Sequence, residues 1–410
     1  MDSWAGFKSH VTHLECSATG ERYAAGQPHN LSKAGKPLLV RYDLPAIARV
    51  VRRDDLRDRT PDFWRYREFL PVPRAADVVS LGEEMTPLVS LNTTSAQFGG
   101  GELLVKDEGR LPTASFKARG MAVAVSMAKS FGTKQMALPT VGSGGASFVA
   151  YCRRAGIDPY VFCPEDSPAL TMGEIAFYGD KFFAVKGALE DCNRLVGEGC
   201  ERMGWFNIST LKEPYRIEGK KTMGLELAEQ LGWELPDVIF YPTGGGTGFI
   251  GMWKAFDELE AVGWIGSKRP RMVAVQTTGC CPIVKAAEQG HKEVQTPWPE
   301  IRTKVHGVRV AKPLGDFLIL RVVYESKGFG SAVSDEDVER TRAAIAVDDG
   351  VMLSPEGAAC VAAYRDAVTS GKVKKSERAV VFNTATGLRS PMGPIKHHID
   401  PSRPVDYAKL

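Results

Sequence analysis

Short apolar runs alternate with longer segments of helical character over most of the chain from residue 101 onward. Asp237–Tyr241, DVIFY, is apolar enough for a strand buried on both faces, and the following segment Phe249–Leu259 suits a helix. We predict strands at 101–106, 134–138, 160–163, 181–185, 237–241, 271–276 and 378–382, and helices at 116–131, 146–155, 168–178, 219–231, 249–259, 334–346 and 355–369. This alternation is typical of a largely parallel sheet covered by helices.

The length of the chain suggests more than one such sheet. With 410 residues it fits one large or two medium domains. We therefore predict an α/β fold with two lobes of parallel sheet covered by helices. A ligand is expected in the cleft between them, because open α/β sheets bind ligands beyond the carboxyl ends of their strands. The predicted domains are an N-terminal arm at 1–45, a smaller α/β domain at 106–219, and a larger one formed by 46–105 and 220–410.

Composition narrows the class of protein. Hydrophobic residues make up 43% and charged residues 25%, as in ordinary globular proteins, and 52 basic against 49 acidic residues give a net charge of +3 that does not suggest nucleic acid. No run approaches the roughly 20 apolar residues of a membrane span, and the first 30 residues lack a signal-peptide core, so we expect a cytoplasmic protein. The eight scattered cysteines favour free thiols. Two adjacent pairs, Cys280 with Cys281 and His397 with His398, receive no role.

The segment 106–120, KDEGRLPTASFKARG, carries the most distinctive chemistry of the chain. Lys117 stands where a turn-rich loop meets the start of a predicted helix. Reactive groups often lie on loops held by a rigid scaffold, and the positive end of a helix favours the neutral amine, which can attack an aldehyde. The alternative is a solvated first-turn lysine, the commoner position for this residue type.

A glycine-rich loop, PTGGGTG at 242–248, separates a predicted strand from a predicted helix. Consecutive N–H groups in such a loop can converge on an anion at the helix N-terminus, which suits a phosphate, although an ordinary tight turn is an equal alternative. Gly246, Gly248 and Gly251 also match the dinucleotide pattern G-x-G-x-x-G. The next strand ends in Gln276 and Thr277 instead of the acidic residue that binds ribose, which weakens that interpretation.

The segment PTASFKARG resembles PTGSFKARG of threonine synthases, pyridoxal phosphate enzymes of amino-acid biosynthesis whose fold (fold type II) also hosts serine and threonine dehydratases. Further similar segments follow in the family's order: YRIEGKKT at 215–222, GGGTG at 244–248, SPEGAA at 354–359 and NTATGLR at 383–389. The resemblance implies that Lys117 holds pyridoxal 5'-phosphate as a Schiff base and moves protons at Cα and Cβ of the substrate. It also implies that Thr384 faces the pyridine nitrogen. The implied contacts of the cofactor's phosphate are Gly244, Gly245, Gly246, Thr247 and Gly248.

The resemblance also assigns substrate contacts. The loop TVGSGGA at 140–146 stands where the family carries its carboxylate-binding loop, with Ser143 in place of the asparagine that contacts the cofactor ring. Arg216 matches an arginine that helps to bind the substrate's phosphate. The implied carboxylate contacts are Thr140, Gly142, Gly144 and Gly145.

The chain departs from the family's pattern at several positions. The family's N-S-V-N-P before Arg216 is replaced by Thr210-Leu211-Lys212-Glu213-Pro214, which argues against simple inheritance of O-phosphohomoserine recognition. Ala114 replaces a usual glycine. The nearby lysines, among them Lys220 and Lys221, are expected to be solvated.

The N-terminal arm resembles the zinc ribbon that opens many bacterial threonine synthases. Of its four ligand positions only one is a cysteine, Cys16, and the others are Thr19, Leu31 and Ala34. Zinc requires a tetrahedral set of nitrogen or sulfur ligands that these residues do not supply. We therefore predict a degenerate ribbon without metal.

Three functional hypotheses follow. The first is a threonine synthase-like lyase that converts O-phosphohomoserine and water into threonine and phosphate by γ-elimination and β-addition. The second is a pyridoxal phosphate-dependent β-eliminating lyase or β-replacement enzyme acting on a serine-, threonine- or phosphoserine-like amino acid. The third is a cofactor-binding regulatory protein without turnover. We expect a homodimer with a small-molecule amino-acid substrate and without nucleic-acid or membrane partners.

Overall fold

The computed structural model describes residues 4, 7–179, 181–395, 398–400 and 402. His397, one of the paired histidines, lies outside the described residues. The strands are β1 (Val11–Cys16), β2 (Arg22–Tyr23), β3 (Leu38–Tyr42), β4 (Leu88–Ser90), β5 (Leu103–Asp107), β6 (Gln135–Pro139), β7 (Asp158–Pro164), β8 (Phe182–Val185), β9 (Phe206–Asn207), β10 (Val238–Pro242), β11 (Arg271–Thr277), β12 (Phe329–Val333) and β13 (Ala379–Asn383). The helices are α1 (Leu44–Val50), α2 (Asn92–Gln97), α3 (Lys117–Ser130), α4 (Ser143–Ala155), α5 (Ala169–Phe177), α6 (Leu189–Met203), α7 (Tyr215–Gln230), α8 (Thr247–Ala261), α9 (Pro282–Glu288), α10 (Asp316–Glu325), α11 (Asp335–Asp348) and α12 (Pro355–Thr369).

The larger sheet has six strands in the order β12-β11-β10-β13-β5-β4. All neighbours pair in parallel except β4, which runs antiparallel to β5 at the edge. Every residue of β5, β10 and β13 is buried, because helices cover both faces of this sheet. The predicted α/β fold with parallel sheets covered by helices is confirmed.

The smaller sheet has four parallel strands in the order β8-β7-β6-β9, all drawn from residues 135–207. Helices α3 and α4 share a hydrophobic core with β6 and β7, through residues such as Ala122, Phe148 and Val161. The two sheets agree with the expectation of two lobes. The domain boundaries stay a prediction.

Helix α7 packs closely against both α3 and α8. A Cβ added at Gly219 would lie 1.9 Å from the carbonyl oxygen of Arg119 in α3, and one at Gly224 would lie 3.0 Å from the Cβ of Ala255 in α8. The glycines therefore let the three helix backbones approach. This packing brings the start of α3 next to the first turns of α7 and α8.

The N-terminal segment forms an antiparallel sheet in the order β2-β1-β3. The Cys16 thiol is buried and donates to the Oγ of Ser32 at 3.1 Å. Over the described ranges, no group of three or more His, Cys, Asp or Glu residues is arranged to hold a metal ion. Freedom from metal stays a prediction for this ribbon.

Several elements differ from the sequence prediction. Helix α7 begins at Tyr215 and not at Gly219, because Pro214 and the capping carboxylate of Glu213 start it one turn earlier. The elements α6, α9, α10, β9 and β12 were not predicted from the sequence. The helix α10 contains the strand-like run LILRVV, whereas the strand β12 reads FGSAV, so the local sequence pattern does not show which is helix and which is strand. None of the helices in the described part of the chain is long and apolar enough to cross a membrane.

Candidate active site

Lys117 and Thr384 are brought together by two neighbouring strands. The ends of β5 and β13 are in register, with Asn383 opposite Asp107. Beyond the strands the two chain segments stay paired, since the Phe116 N–H donates to the Thr384 carbonyl at 3.0 Å. The loop that carries Lys117 is therefore fixed to the loop that carries Thr384, at the carboxyl edge of the larger sheet, as expected for a ligand site.

The loop before Lys117 has an unusual backbone. Thr113 and Ala114 both adopt left-handed conformations, with φ of 55° and 47°. Such angles are costly for residues with a Cβ and cheap for glycine. The departure from glycine at position 114 therefore puts strain into the segment that presents the lysine.

The Lys117 amine lies in a low-dielectric, positively charged setting. Its Nζ is 4.4 Å from the centroid of the Phe116 ring, and no residue in the described ranges accepts a hydrogen bond from it. Burial, and after it the positive charge of Arg216, lower the pKa of Lys117 to about 8 against the opposing charge of the Glu356 carboxylate. About a tenth to a fifth of this amine is therefore neutral near physiological pH, far more than for a lysine of ordinary pKa, and a nucleophile or base requires that neutral form.

The glycine-rich loop between β10 and α8 leaves its donors free. Within the part of the chain that the structure describes, no acceptor is paired with the N–H groups of residues 244–248. Gly246 has a φ of +71°, and a Cβ at Gly244 or Gly248 would lie 2.3 Å from the Gly307 carbonyl oxygen or 2.0 Å from the Tyr241 hydroxyl. Free N–H groups at the start of a 15-residue helix form an anion cradle that suits a phosphate.

Lys220 was expected to be solvated, and that expectation is wrong. Its side chain is fully buried, with Nζ 3.0 Å from the Oγ1 of Thr247 and 3.8 Å from the centroid of the Phe116 ring. Lys221 is also buried, but it pairs with Glu218 at 2.7 Å. Both lysines lie on a helix whose first turns are covered by α3 and α8, and the sequence pattern does not reveal that burial.

The loop 140–145 opens α4 at the edge of the smaller sheet. Among the described residues no acceptor is paired with the N–H groups of Val141, Ser143 and Gly144, whereas Gly145 N–H bonds to the Gly142 carbonyl at 3.0 Å. The Ser143 side chain is half-buried. Thr140 Oγ1 contacts the Gly142 carbonyl at 3.3 Å and so braces the loop. The free N–H groups can receive a carboxylate.

This loop is connected to the lysine segment by side chains. Thr113, four residues before Lys117, shares a 2.6 Å hydrogen bond with Ser147 in the second turn of α4. Gly145 is required by packing, because a Cβ there would lie 2.5 Å from the Cδ1 of Ile175 in α5. The loop 140–145 and the helix that it opens are thus tied to the segment that carries Lys117.

Arg216 lies in the first turn of α7 and is 3% exposed. One Nη1–H donates to the Ile208 carbonyl at 2.8 Å, while Nε is buried without a partner in the described structure. The nearby Glu213 carboxylate accepts from the Tyr215 and Arg216 N–H groups at 2.7 and 3.1 Å and so caps the helix. Burial raises the pKa of Glu213 to about 7, against the opposing charge of Arg216. An unsatisfied guanidinium nitrogen beside Lys117 can bind a further anion.

Sequence reasoning missed the segment that covers the glycine-rich loop. The Gly307 N–H donates to Glu356 Oε1 at 2.7 Å, and the Gly307 carbonyl oxygen limits the space at Gly244. Glu356 therefore holds the turn His306–Val308 over the loop. The preceding residues 289–305 show no periodicity that would place this turn.

A match to a family model agrees with this geometry. The model described as "Pyridoxal-phosphate dependent enzyme" matches residues 79–385. The chain belongs to this family of pyridoxal phosphate-dependent enzymes. The site fits the cofactor, since the free loop donors suit its phosphate and a partly neutral lysine stands ready for its aldehyde.

Two relatives make the similarity more specific. The threonine synthase of Methanocaldococcus jannaschii is 32% identical over 387 residues, covering 94% of this chain and 95% of the relative. That of Methanosarcina acetivorans is 32% identical over 381 residues, covering 92% of each. Among solved structures, threonine deaminase isoform 2 from Solanum lycopersicum matches with a TM-score of 0.63 at 18% identity, covering 85% of this chain and 86% of that one. The last similarity concerns the fold.

Proposed function

We propose that this chain is a threonine synthase, which converts O-phosphohomoserine and water into threonine and phosphate. Relatives of that name align with nearly its full length at 32% identity. The observation that carries the proposal is the buried Arg216, whose unpartnered Nε lies close enough to Lys117 for its charge to act on that amine. A phosphate-bearing substrate would give this guanidinium its partner, while the glycine-rich loop holds the cofactor's phosphate.

Each residue has a role that its surroundings support. When bound, pyridoxal phosphate supplies an electron sink for negative charge left on substrate carbons. Lys117 holds the cofactor and, once released, takes and returns protons at Cα and Cβ; a pKa near 8 suits a group that must do both. The free N–H groups of the 140–145 loop would hold the substrate carboxylate, and Ser143 would contact the cofactor ring.

Thr384 is proposed to face the pyridine nitrogen. Its position is fixed by the hydrogen bond from Phe116 and by Asn383, whose Nδ2 donates to Asp107 at 2.7 Å. A hydroxyl does not keep the nitrogen protonated as a carboxylate would, so charge withdrawal is moderated. With the cofactor bound, such moderated charge withdrawal would allow elimination and addition to compete with other reactions.

A lyase or β-replacement reaction on a serine-, threonine- or phosphoserine-like amino acid is the second candidate. It is favoured by Glu213, a carboxyl group next to the guanidinium that would bind substrate phosphate. Leu211 is 1% exposed and packs towards Gly315, so it offers no donor to a ligand. This pocket therefore has fewer neutral donors than the family's pattern provides.

Product analysis separates the two candidates. Purified protein with pyridoxal phosphate would be incubated with O-phosphohomoserine, and separately with threonine, serine and phosphoserine. Phosphate released one-for-one with threonine is the expected result, and the Lys117→Ala variant should form neither. Keto acid or a replacement product from another substrate, without phosphate from O-phosphohomoserine, would establish the second candidate instead.

The finer expectations about assembly and location belong to the same proposal. We propose a cytoplasmic homodimer. Large apolar side chains such as Phe177 and Leu170 of α5 are 91% and 61% exposed in the single chain, and a subunit contact would give such a surface a partner. Light scattering of the purified protein should give twice the 44.6 kDa chain mass.

A further inference from the structure

Lys220 is a buried amine without a carboxylate partner. Its side chain is 0% exposed, and in the described residues no carboxylate oxygen lies within ion-pair distance of Nζ. Its close neighbours are the Thr247 hydroxyl, at 3.0 Å, and the face of the Phe116 ring, at 3.8 Å. Keeping this amine protonated costs free energy when its neighbours are only a hydroxyl and an aromatic ring. A bound anion would lower that cost.

The position of Lys220 identifies where that anion would lie. Thr247 is the first residue of α8 and directly follows Gly244, Gly245 and Gly246, whose N–H groups have no acceptor in the described structure. Any anion bound by the cradle is therefore within reach of an amine already hydrogen-bonded to Thr247. The glycine-rich loop supplies N–H dipoles but no charged side chain. Without Lys220, a dianionic phosphate in this loop would have no cation beside it.

We infer that Lys220 is the charged contact of the cofactor's phosphate and makes the enzyme select pyridoxal 5'-phosphate over unphosphorylated pyridoxal. The phosphate would place a negative charge next to the buried amine, which has no carboxylate partner. The amine in turn would add a positive charge to a glycine loop that offers only N–H groups. In the cofactor-free protein, burial and the charges of Lys117 and Arg216 lower the pKa of Lys220 well below its usual range. A phosphate beside it would act in the opposite direction.

The substrate's phosphate is the other source of the same chemistry. Arg216 stands in the first turn of α7 and Lys220 one turn later, so both cations face the space beside Lys117. Only Lys220 is hydrogen-bonded to the residue that opens α8. That contact assigns Lys220 to the cofactor's phosphate and leaves Arg216 for the substrate.

The test measures cofactor binding to the full-length protein without turnover. Cofactor-free wild type, Lys220→Met and Lys220→Gln would be titrated with pyridoxal phosphate and with pyridoxal, following the visible absorbance. Lys285→Met, at an exposed position of α9, serves as the matched control. We expect the Lys220 variants to bind pyridoxal phosphate about 10- to 100-fold more weakly, as for loss of a charge-assisted hydrogen bond, while pyridoxal binding changes less than about twofold.

Every outcome decides the assignment. The assignment is supported if the Lys220 variants lose affinity for pyridoxal phosphate but not for pyridoxal. Inorganic phosphate should also raise their melting temperature less than it raises that of wild type. Equal weakening of both ligands, or no change in either, overturns it and leaves Lys220 a packing residue. An unchanged cofactor affinity with a raised KM for O-phosphohomoserine assigns the lysine to the substrate's phosphate instead. Because the two cofactor titrations are read without product formation, a wrong reaction assignment does not affect their result.

Discussion

Two buried clusters of charge are built around the same pair of helices, α3 and α7, and differ in their balance. In the paired cluster, Arg119 contacts Glu108 and Glu226 at 2.6 Å and Lys106 contacts Glu226 at 2.8 Å, with all four side chains fully buried. In the cationic cluster, Lys117, Lys220 and Arg216 have no ion pair among the described residues. Arg119 and Lys117 are only two residues apart on α3.

The difference separates scaffold from site. The paired cluster satisfies its charges internally, and Arg119 and Lys106 hold the pKa of Glu226 well below its usual range despite burial. The cationic cluster lowers the pKa of its own lysines, because burial and like charges act in the same direction. A protein tolerates such an imbalance where a ligand completes it.

The largest effect is expected at Lys117. Lys117→Ala should lower the rate of product formation by on the order of 10³-fold or more, because the nucleophile and the base are lost together. Lys129→Ala, at an exposed position near the end of the same helix, should keep wild-type activity. Steady-state assays at saturating cofactor measure both. Comparable rates for the two variants would remove Lys117 from the mechanism.

The same substitution in the two clusters should affect stability unequally. Lys106→Met should cost about 3–5 kcal/mol of unfolding free energy, because Glu226, the Thr86 carbonyl and Gln230 all lose a donor. Lys220→Met should change the unfolding free energy of the cofactor-free protein by less than about 1 kcal/mol, since no carboxylate loses its partner. Urea unfolding of cofactor-free protein gives both values. Equal losses would mean that the cationic cluster is no less compensated than the paired one.

Both clusters depend on the close approach of α3 and α7. Gly219→Ala places a Cβ 1.9 Å from the Arg119 carbonyl oxygen, so the helices must separate at a cost of about 1–3 kcal/mol. Gly197→Ala in α6 meets nothing within 4 Å and should stabilise by up to about 1 kcal/mol. Thermal and urea unfolding measure the pair. A Gly219 variant as stable as wild type would show that the helix contact yields easily.

The smallest effect is the pH dependence contributed by Glu213. Its folded pKa is raised to about 7 by burial, so the folded state binds more protons than the unfolded state between about pH 4.5 and 7, and stability falls as pH rises through that window. Glu213→Gln keeps a carbonyl acceptor for the helix cap and removes the titration. The unfolding free energy of this variant should exceed that of wild type by about 1–2 kcal/mol at pH 8 and match it below pH 4.5. Urea unfolding at pH 8 and at pH 4 measures both proteins. The same stability difference between variant and wild type at the two pH values would contradict the raised pKa of Glu213.

Local pattern was sufficient for much of the fold. The strands at β5, β6, β10, β11 and β13 and the helices at α3, α8, α11 and α12 are confirmed, because they combine a clear period with glycine, proline or capping signals. Elements such as β12 and α6 were missed, because internal glycines weaken both periods. The solvated state expected of Lys220 was wrong for another reason. Burial depends on which helices cover a face, and no local signal records that.

The order of motifs along the chain determined the class of fold and the cofactor, and it predicted Lys117 as the lysine of the site, since each motif is a short segment with its own chemistry. Its tertiary structure alone decided which charges are paired. Lys106 and Lys220 are both fully buried lysines, yet one meets Glu226 at 2.8 Å and the other meets a hydroxyl at the start of α8. Coulomb energy depends on distance through a low-dielectric interior, and those distances are set by the packing of α3, α7 and α8.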